Sequence, residues 1–550
     1  MRVPRRRFRD ARAADTPPPA GSCNRTRAGS TVPRTSAGPA DDRPIDLLVI
    51  GAGFGGLGAA MRAAELGARV VVLEAQAYPG GCASTFEHGG SHFESGATLF
   101  SGLAPNQLLG RWIAQHELDV QVDWIDPIVD YRSPRFELSV GLNRHAFIEG
   151  LCALPGAPSE ALRRFFAFQE RAADRLWKTL DEPTSLPPFG ARTFVHHAKD
   201  IAAWAPVMRC AGKSLRSVLA RFGLAQFQPL CDALNALCQI TVQCDIDAAE
   251  APFALAAADY YWRGTGHVRN GIGMLANGLC EAIERQGGEV RFGRRVRCIE
   301  PHQDGGWWVH TLGESLRAER VVANLLPTAL DSMIAAGVPR SQRLARYSRD
   351  LEGGWGACML YLELEDEPGA APHHLQLVQD PDAPLMEGNH LYVSTSGSRD
   401  SHLRSRKGGT TATVSTHLPM RRLRALPAAE RGAYVRGVQN RMRAGLRALA
   451  PELEARIRRM LPASPRTFER YTGRTHGLVG GLPRRVGLRQ YMDLSNPPIA
   501  PGLWMVGDTV FPGQSTYATA CGGVRAAERA LAASSPTRSS SLASAGIVSP

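Results

Sequence analysis

Three glycines and two carboxylates, far apart in the chain, have the spacing of a site that could do chemistry. Gly51, Gly53 and Gly56 satisfy G-x-G-x-x-G within Gly51-Ala52-Gly53-Phe54-Gly55-Gly56. Glu74 lies eighteen residues beyond Gly56, and Asp508 follows Gly507 near the far end of the chain. In such a turn the first glycine allows the tight reversal and the second lets backbone approach a pyrophosphate. The third lets the following helix pack closely on its strand. An acidic residue about twenty positions on can accept hydrogen bonds from a ribose diol, and its charge repels a 2′-phosphate. The chemistry implied is the holding of a dinucleotide.

The elements needed to position these residues are legible around them. Ile45-Asp46-Leu47-Leu48-Val49-Ile50 is a short apolar run of strand type that enters the glycine turn. Leu57, Ala60, Met61 and Ala64 then recur at helical spacing until Gly67. Val70-Val71-Val72-Leu73 is a second buried strand, ending on Glu74. The helix start offers unpaired N–H groups and a partial positive charge to phosphates.

Two further segments favour FAD over NAD. Pro79-Gly80-Gly81-Cys82-Ala83-Ser84-Thr85 makes a second glycine turn just after Glu74, and His92-Phe93-Glu94-Ser95-Gly96-Ala97-Thr98 follows it. Backbone at Gly80, Gly81, Cys82, Gly96, Ala97 and Thr98 could therefore reach a cofactor extending past its pyrophosphate. At the other end, the strand Leu503-Trp504-Met505-Val506 runs into Gly507-Asp508. Pro512-Gly513-Gln514-Ser515-Thr516 leads into a helix of small residues from Tyr517 to Leu531. Asp508 can bond a ribityl hydroxyl. The helix start at Thr516 can stabilise negative charge on the pyrimidine side of a reduced flavin.

These motifs together resemble the phytoene desaturase and carotenoid isomerase branch of the flavin amine-oxidase superfamily, over about Asp46 to Leu531. Gly80 to Thr85, Gly96-Ala97-Thr98, Glu469-Arg470-Tyr471-Thr472-Gly473-Arg474, Gly480-Gly481 and Val506-Gly507-Asp508 are most similar to its carotenoid 3,4-desaturase-like group. The resemblance implies FAD contacts at Gly51, Gly53, Gly56, Glu74, Gly81, Ala97, Gly507 and Asp508, with Val296 against the adenine. One departure is that many members of the wider superfamily carry Arg where this chain has Cys82, which removes a phosphate-facing cation.

The expected fold class is α/β, a Rossmann-type FAD-binding domain interleaved with a mixed α+β substrate-binding domain. The FAD-binding parts are expected at 44–104, 271–339 and 481–533, and the substrate-binding parts at 105–270 and 340–480. In the first of these, Leu275 to Ile283 forms a helical stripe stopped by Gly287-Gly288. In the substrate half, Leu215, Val218, Leu219 and Phe222 mark a helix with Gly223 after its end. Tyr260-Tyr261-Trp262, Trp204 and Trp355 suit either a core or a long apolar tunnel.

Composition removes other classes. Lys and Arg outnumber Asp and Glu by 64 to 52, but only four of the 64 are lysine. An arginine skew of this kind reflects base composition, and no nucleic-acid partner is expected. Residues 1–43 hold ten Arg and four Asp without apolar periodicity and are expected to be disordered, as is 534–550. Arg5-Arg6-Arg7-Phe8 lacks the apolar stretch an export signal needs. Eleven cysteines make no C-x-x-C pair, and no metal-binding spacing occurs. The pairs His196-His197 and His373-His374 are read as surface or cap residues. No Ser/His/Asp or Cys/His order declares a catalytic group, which fits chemistry supplied by a cofactor.

The resemblance then implies an apolar polyene or carotenoid substrate, desaturated by hydride transfer to flavin N5. Such a substrate lives in lipid, so a cytoplasmic enzyme held peripherally on a membrane is expected. Isomerisation, polyene saturation, amine or porphyrinogen oxidation, and prenyl-lipid binding of the Rab GDP-dissociation inhibitor kind are the alternatives. The sequence does not specify the electron acceptor or the oligomeric state.

Overall fold

The computed structural model describes residues 44–96, 98–182, 187 and 201–533. Ala97, His196-His197 and both terminal segments, on which expectations above fall, lie outside the described residues.

Strands that come from distant parts of the chain make one seven-stranded sheet. Its parallel part runs Glu289–Arg291, Val70–Leu73, Ile45–Ile50, Ser315–Ala323, Leu503–Met505. Val296–Pro301 and Trp307–Thr311 extend it as an antiparallel meander. Ser315–Ala323 joins the two parts. Its first half pairs Trp307–Thr311, and its last three residues pair Leu503–Met505. Strands covered on both faces must be apolar throughout, and Val70–Leu73 is buried at every position. Alternation divides the side chains between two cores. Leu47, Val49 and Val72 meet the helix residues Leu57 and Met61, while Leu48, Ile50 and Val71 meet Leu330 and Tyr347.

Small residues bring the C-terminal helix Thr516–Ala532 against the fingerprint helix Phe54–Glu65. A Cβ on Gly58 would lie 2.4 Å from the Ala520 carbonyl oxygen, and one on Gly523 would lie 2.1 Å from that of Gly55. This close approach carries Gly507, Asp508 and Thr516 to the mouth of the glycine turn.

The other half is a second seven-stranded sheet with helices. Its order is Ile457–Ala463, Trp355–Leu364, Thr411–Pro419, His390–Thr395, His373–Val378, Val129–Arg132, Glu137–Val140. Only the pairing of His373–Val378 with Val129–Arg132 is parallel. One face packs Leu360 and Leu362 on Val438 and Met442 of the helix Ala428–Leu449. The opposite face packs Met359 and Tyr361 on Phe93 and Phe468. A helical layer including Ser159–Asp181, Leu215–Arg221, Gln228–Thr241 and Ala251–Ala257 shares a separate core. Leu215–Arg221 has the bounds its pattern predicts, with Ser214 Oγ capping Ser217 N at 3.2 Å and Gly223 at φ +76°. The fold is α/β with a mixed second half, as expected.

One expectation is overturned in part. His373 and His374 open a strand in the second sheet, and while the His373 side chain stays 38% exposed at the strand end, His374 is not a surface residue. His373 Nε2 pairs with Asp130 Oδ2 at 2.7 Å, while His374 is fully buried with neither ring nitrogen bonded. A sheet covered on both faces buries its polar residues along with the apolar ones.

Candidate flavin site

The glycine turn has the predicted geometry. Gly51 sits at φ +93°, a conformation that side chains resist, and a Cβ on Gly56 would strike the Gly51 carbonyl oxygen at 1.9 Å. Gly56 therefore does not line the cavity but seats the helix beneath it. Gly53 is the N-cap of Phe54–Glu65 and supplies no side-chain cap. The positive end of that helix is left open to a cavity of about 610 Å³, lined by Gly51, Gly53, Phe54 and Gly55.

Glu74 closes one side of the turn. Its two carboxylate oxygens accept from Ala52 N and Gln76 N, each at 2.7 Å. Burial raises its pKa and these backbone donors oppose the rise. The second glycine turn docks here too, with Gly80 N donating to the Ala52 carbonyl at 2.8 Å. Gly80, Gly81, Cys82, Gly96 and Thr98 all face the same cavity, and so does Val296 at the start of its strand.

Asp508 is reached from the far end of the chain, after Gly507 at φ +112°. Its Oδ2 accepts from Arg474 Nη2 at 2.7 Å. Arg474 Nε also donates to the Leu478 carbonyl, and the guanidinium adjoins the Cys82 thiol. Burial works against its charge, but the Asp508 carboxylate and the Cys82 sulfur together outweigh it and raise the pKa. The cation absent from position 82 is thus supplied at the same place by Arg474. Arg474 closes the motif Glu469–Arg474, whose spacing alone gives it no role.

Asn324 was missed as well. It ends the strand Ser315–Ala323, and its side chain lies where a Cβ on Gly53 would come within 2.5 Å and one on Gly507 within 2.8 Å. Only sheet order places it between the two glycine segments, so no local signal could have found it.

The cavity fits a large polar cofactor at this end. Thr98 Oγ1 and Thr516 Oγ1 line it, are buried, and have no hydrogen-bond partner among the described residues. An unsatisfied buried hydroxyl is costly, and two at one cradle call for a ligand that bonds them. Ser515 Oγ caps the second helix at Ala518 N, 2.9 Å away, leaving its first N–H groups toward the cavity.

The cavity continues into the helical half, where its wall is aromatic. Trp177, Trp204, Phe253, Tyr260, Tyr261 and Tyr392 line it. Tyr260 is pushed up to about 12 by burial, so its hydroxyl stays protonated and donates to the Leu99 carbonyl at 2.9 Å. His417 is a titratable wall residue that sequence reasoning missed. Burial lowers its pKa to about 4, and its ring meets Trp355 edge-on with centroids 5.9 Å apart.

An open helix start and an acidic strand end in one cradle form a dinucleotide site, and the family match makes the chain a flavin-dependent oxidoreductase. The family model for flavin containing amine oxidoreductase matches residues 54–452, and the chain belongs to that family. It is 24% identical over 504 residues to prolycopene isomerase, chloroplastic, of Arabidopsis thaliana, covering 88% of this chain and 82% of that protein. It is 27% identical over 307 residues to the neurosporene-forming phytoene desaturase of Cereibacter sphaeroides, covering 52% and 54%. The crystal structure of an oxidoreductase from Methanosarcina mazei superposes with a TM-score of 0.57 at 17% identity, covering 88% and 100%. That last likeness establishes the fold.

Proposed function

We propose that this enzyme desaturates an apolar polyene of the carotenoid class. One observation carries the reading: the cradle of glycines, Glu74 and Asp508 shares a single cavity with the aromatic wall of the helical half. The glycine-turn helix would hold the pyrophosphate and Glu74 the adenosine ribose. Val296 would lie against the adenine. Gly80, Gly81, Cys82, Gly96 and Thr98, with Ala97 by resemblance, would follow the cofactor toward its ring. Gly507, Asp508 and Thr516 would meet the flavin end. When bound, FAD supplies a two-electron acceptor for a hydride from an allylic carbon.

This chain's residues position the substrate and take the proton. The aromatic wall holds the polyene and excludes water, which keeps the reacting carbon in place. In this reading the proton from the neighbouring carbon passes to His417, a wall imidazole that burial keeps neutral above about pH 4 and thereby also makes a weak base. The likeness to prolycopene isomerase supports a second reading, in which a double bond rotates with no net oxidation.

Membrane attachment is part of the proposal. Met208, Val486, Leu488 and Met492 are exposed, the last at 71%. Arg209, Lys213, Arg485 and Arg489 are exposed among them, and a Cβ on Gly212 would touch Leu488 Cδ2 at 3.5 Å. Met208 and the neighbouring Tyr491 also line the cavity. An apolar patch with basic neighbours beside a cavity mouth suits an anionic bilayer surface. Among the described residues no helix is long and apolar enough to cross a membrane.

Anaerobic mixing of the FAD-loaded enzyme with carotenoid in liposomes tests the reading. Bleaching of the flavin band with a longer-wavelength polyene product supports desaturation. A rearranged polyene without bleaching supports isomerisation instead. Bleaching by soluble amines and by no polyene overturns both.

A further inference from the structure

Arg484 is a buried cation that no carboxylate answers among the described residues. It is 7% exposed and lines the cavity. Nη2 donates to the Val510 carbonyl at 3.3 Å, and the guanidinium lies over the Phe253 ring at 5.3 Å from its centroid. Among the described residues it forms no ion pair. Asp493 and Asp508 act on it only at longer range. Both are already engaged, Asp493 by Arg346 at 2.5 Å and Asp508 by Arg474 at 2.7 Å.

Such a group is expensive. A guanidinium carries five N–H donors, and taking its charge out of water is repaid only by a close counter-charge. The Phe253 face returns part of that cost. Burial correspondingly pulls the pKa of Arg484 down.

The position is also rigid. Arg484 N donates to the Val242 carbonyl at 2.9 Å, and its own carbonyl accepts from Glu250 N at 2.8 Å. Phe253 stands beside Tyr491 and Phe511, with ring centroids 5.8 Å and 6.4 Å away. The Tyr491 hydroxyl is committed to Glu250 Oε1 at 2.7 Å and so does not compete with the guanidinium for a ligand. The result is one planar, charged fork set in an apolar surround.

We propose that Arg484, on its Phe253 platform, is an anion subsite that holds the terminal carboxylate of an otherwise apolar substrate. The proposal rests on reading the cavity as a polyene site and narrows the substrate class to acids. A single unanswered cation matches a single negative charge, which favours carboxylate over phosphate. Its planar fork matches the two carboxylate oxygens. The pyrophosphate charges of FAD have their own partner in the helix start at Gly53.

The test uses FAD-loaded enzyme and three micelle-borne forms of one polyene: the terminal acid, its methyl ester, and the hydrocarbon-ended analogue. Affinity is read from perturbation of the flavin spectrum. The acid should bind at least tenfold tighter than the ester. Arg484→Gln should abolish that preference while leaving FAD content and flavin reduction potential unchanged, and Arg484→Lys should retain part of it. Equal affinity for acid and ester in the unaltered enzyme overturns the subsite, while hydrocarbon binding would leave the polyene reading standing. A shifted flavin potential in Arg484→Gln with the acid preference intact also overturns it, assigning the cation to the flavin. If none of the three perturbs the flavin, the polyene reading and the subsite fall together. The comparison within the unaltered enzyme decides the matter even where a variant fails to fold.

Discussion

Arg474 and Asp508, 34 positions apart in sequence, form an ion pair at 2.7 Å in the wall of the cavity. Each is mostly buried, with side-chain exposure of 17% and 18%. Removing one partner leaves the other uncompensated, a change that costs on the order of 3 kcal/mol at buried sites. Arg474→Met should therefore lower the urea midpoint of the apoprotein and weaken FAD binding together. Retention of both would show that the pair is incidental. Cys82→Arg in the same background should restore part of the FAD affinity, because position 82 adjoins the lost guanidinium.

Gly58 tests the seam between the two helices. Its Cβ would meet the backbone oxygen of Ala520 at 2.4 Å, and a backbone atom cannot swing aside. Gly58→Val should cost upward of about 3 kcal/mol, beyond the usual range for overpacking. Because the seam carries Asp508 and Thr516 to the glycine turn, FAD retention should fall with the thermal midpoint. Gly67→Val, at a position open on all sides, controls for the loss of a glycine, though its φ of +75° carries some strain. An unaltered flavin content in Gly58→Val would argue that the two helices separate without disturbing the site.

Buried histidines in the second sheet set an acid limit. His374 is held well below its usual 6.5 by burial, and His390 is lowered to about 3. When the folded pKa is depressed, the unfolded chain binds the extra proton. Stability is then present above 6.5 and is lost as pH falls toward the folded value. Glu94 works the other way. Burial raises it to about 8, so its contribution is full below 4.5 and is lost as pH rises through 8. Urea titrations should show stability falling below pH 6.5, with a shallower decline toward pH 8. His390→Gln should flatten the acid limb. A midpoint unchanged from pH 7 to pH 5 would contradict the assignment.

The sequence disclosed those parts of the site that are local. The turn Gly51 to Gly56, the acidic end at Glu74 and the pair Gly507-Asp508 each sit where a strand stops, so a few adjacent residues carry the signal. Every described residue expected to contact FAD faces the cavity except Gly56, which packs beneath it. Arg474 stood in a motif the resemblance marks, though its meeting with Asp508 did not show there; Asn324, His417 and Arg484 stayed hidden for the opposite reason. Each is brought in by sheet order or by a crossing between the two halves, and nothing next to them in sequence records that meeting. His374 misled because polarity reads as exposure, whereas a strand covered on both faces buries whatever points inward; His373 beside it stays 38% exposed.

The last prediction concerns the surface beside the cavity mouth. On the proposed reading, a polyene passing from lipid to protein would lose about 0.8 kcal/mol for every CH₂ exposed to water on the way, so the mouth is expected to abut the bilayer. Leu488 and Met492 are 64% and 71% exposed, which is costly in water unless lipid covers them. Insertion of both side chains contributes roughly 1.5–3 kcal/mol each at full burial, and less at the partial depth of an interface. Leu488→Asp with Met492→Asp should therefore reduce partition onto anionic vesicles by at least tenfold, read by co-sedimentation. Thermal stability and flavin content should stay the same, since neither residue supports the core. The arginines around them make a separable contribution. Binding should weaken with added salt in vesicles containing anionic lipid and be nearly insensitive to salt in neutral ones. Desaturation from liposomes should fall in proportion to partition, while turnover of substrate dissolved in detergent micelles should be unaffected. Loss of activity in micelles as well would place these residues in the substrate path. Unchanged vesicle binding would move the membrane-facing surface elsewhere on the molecule.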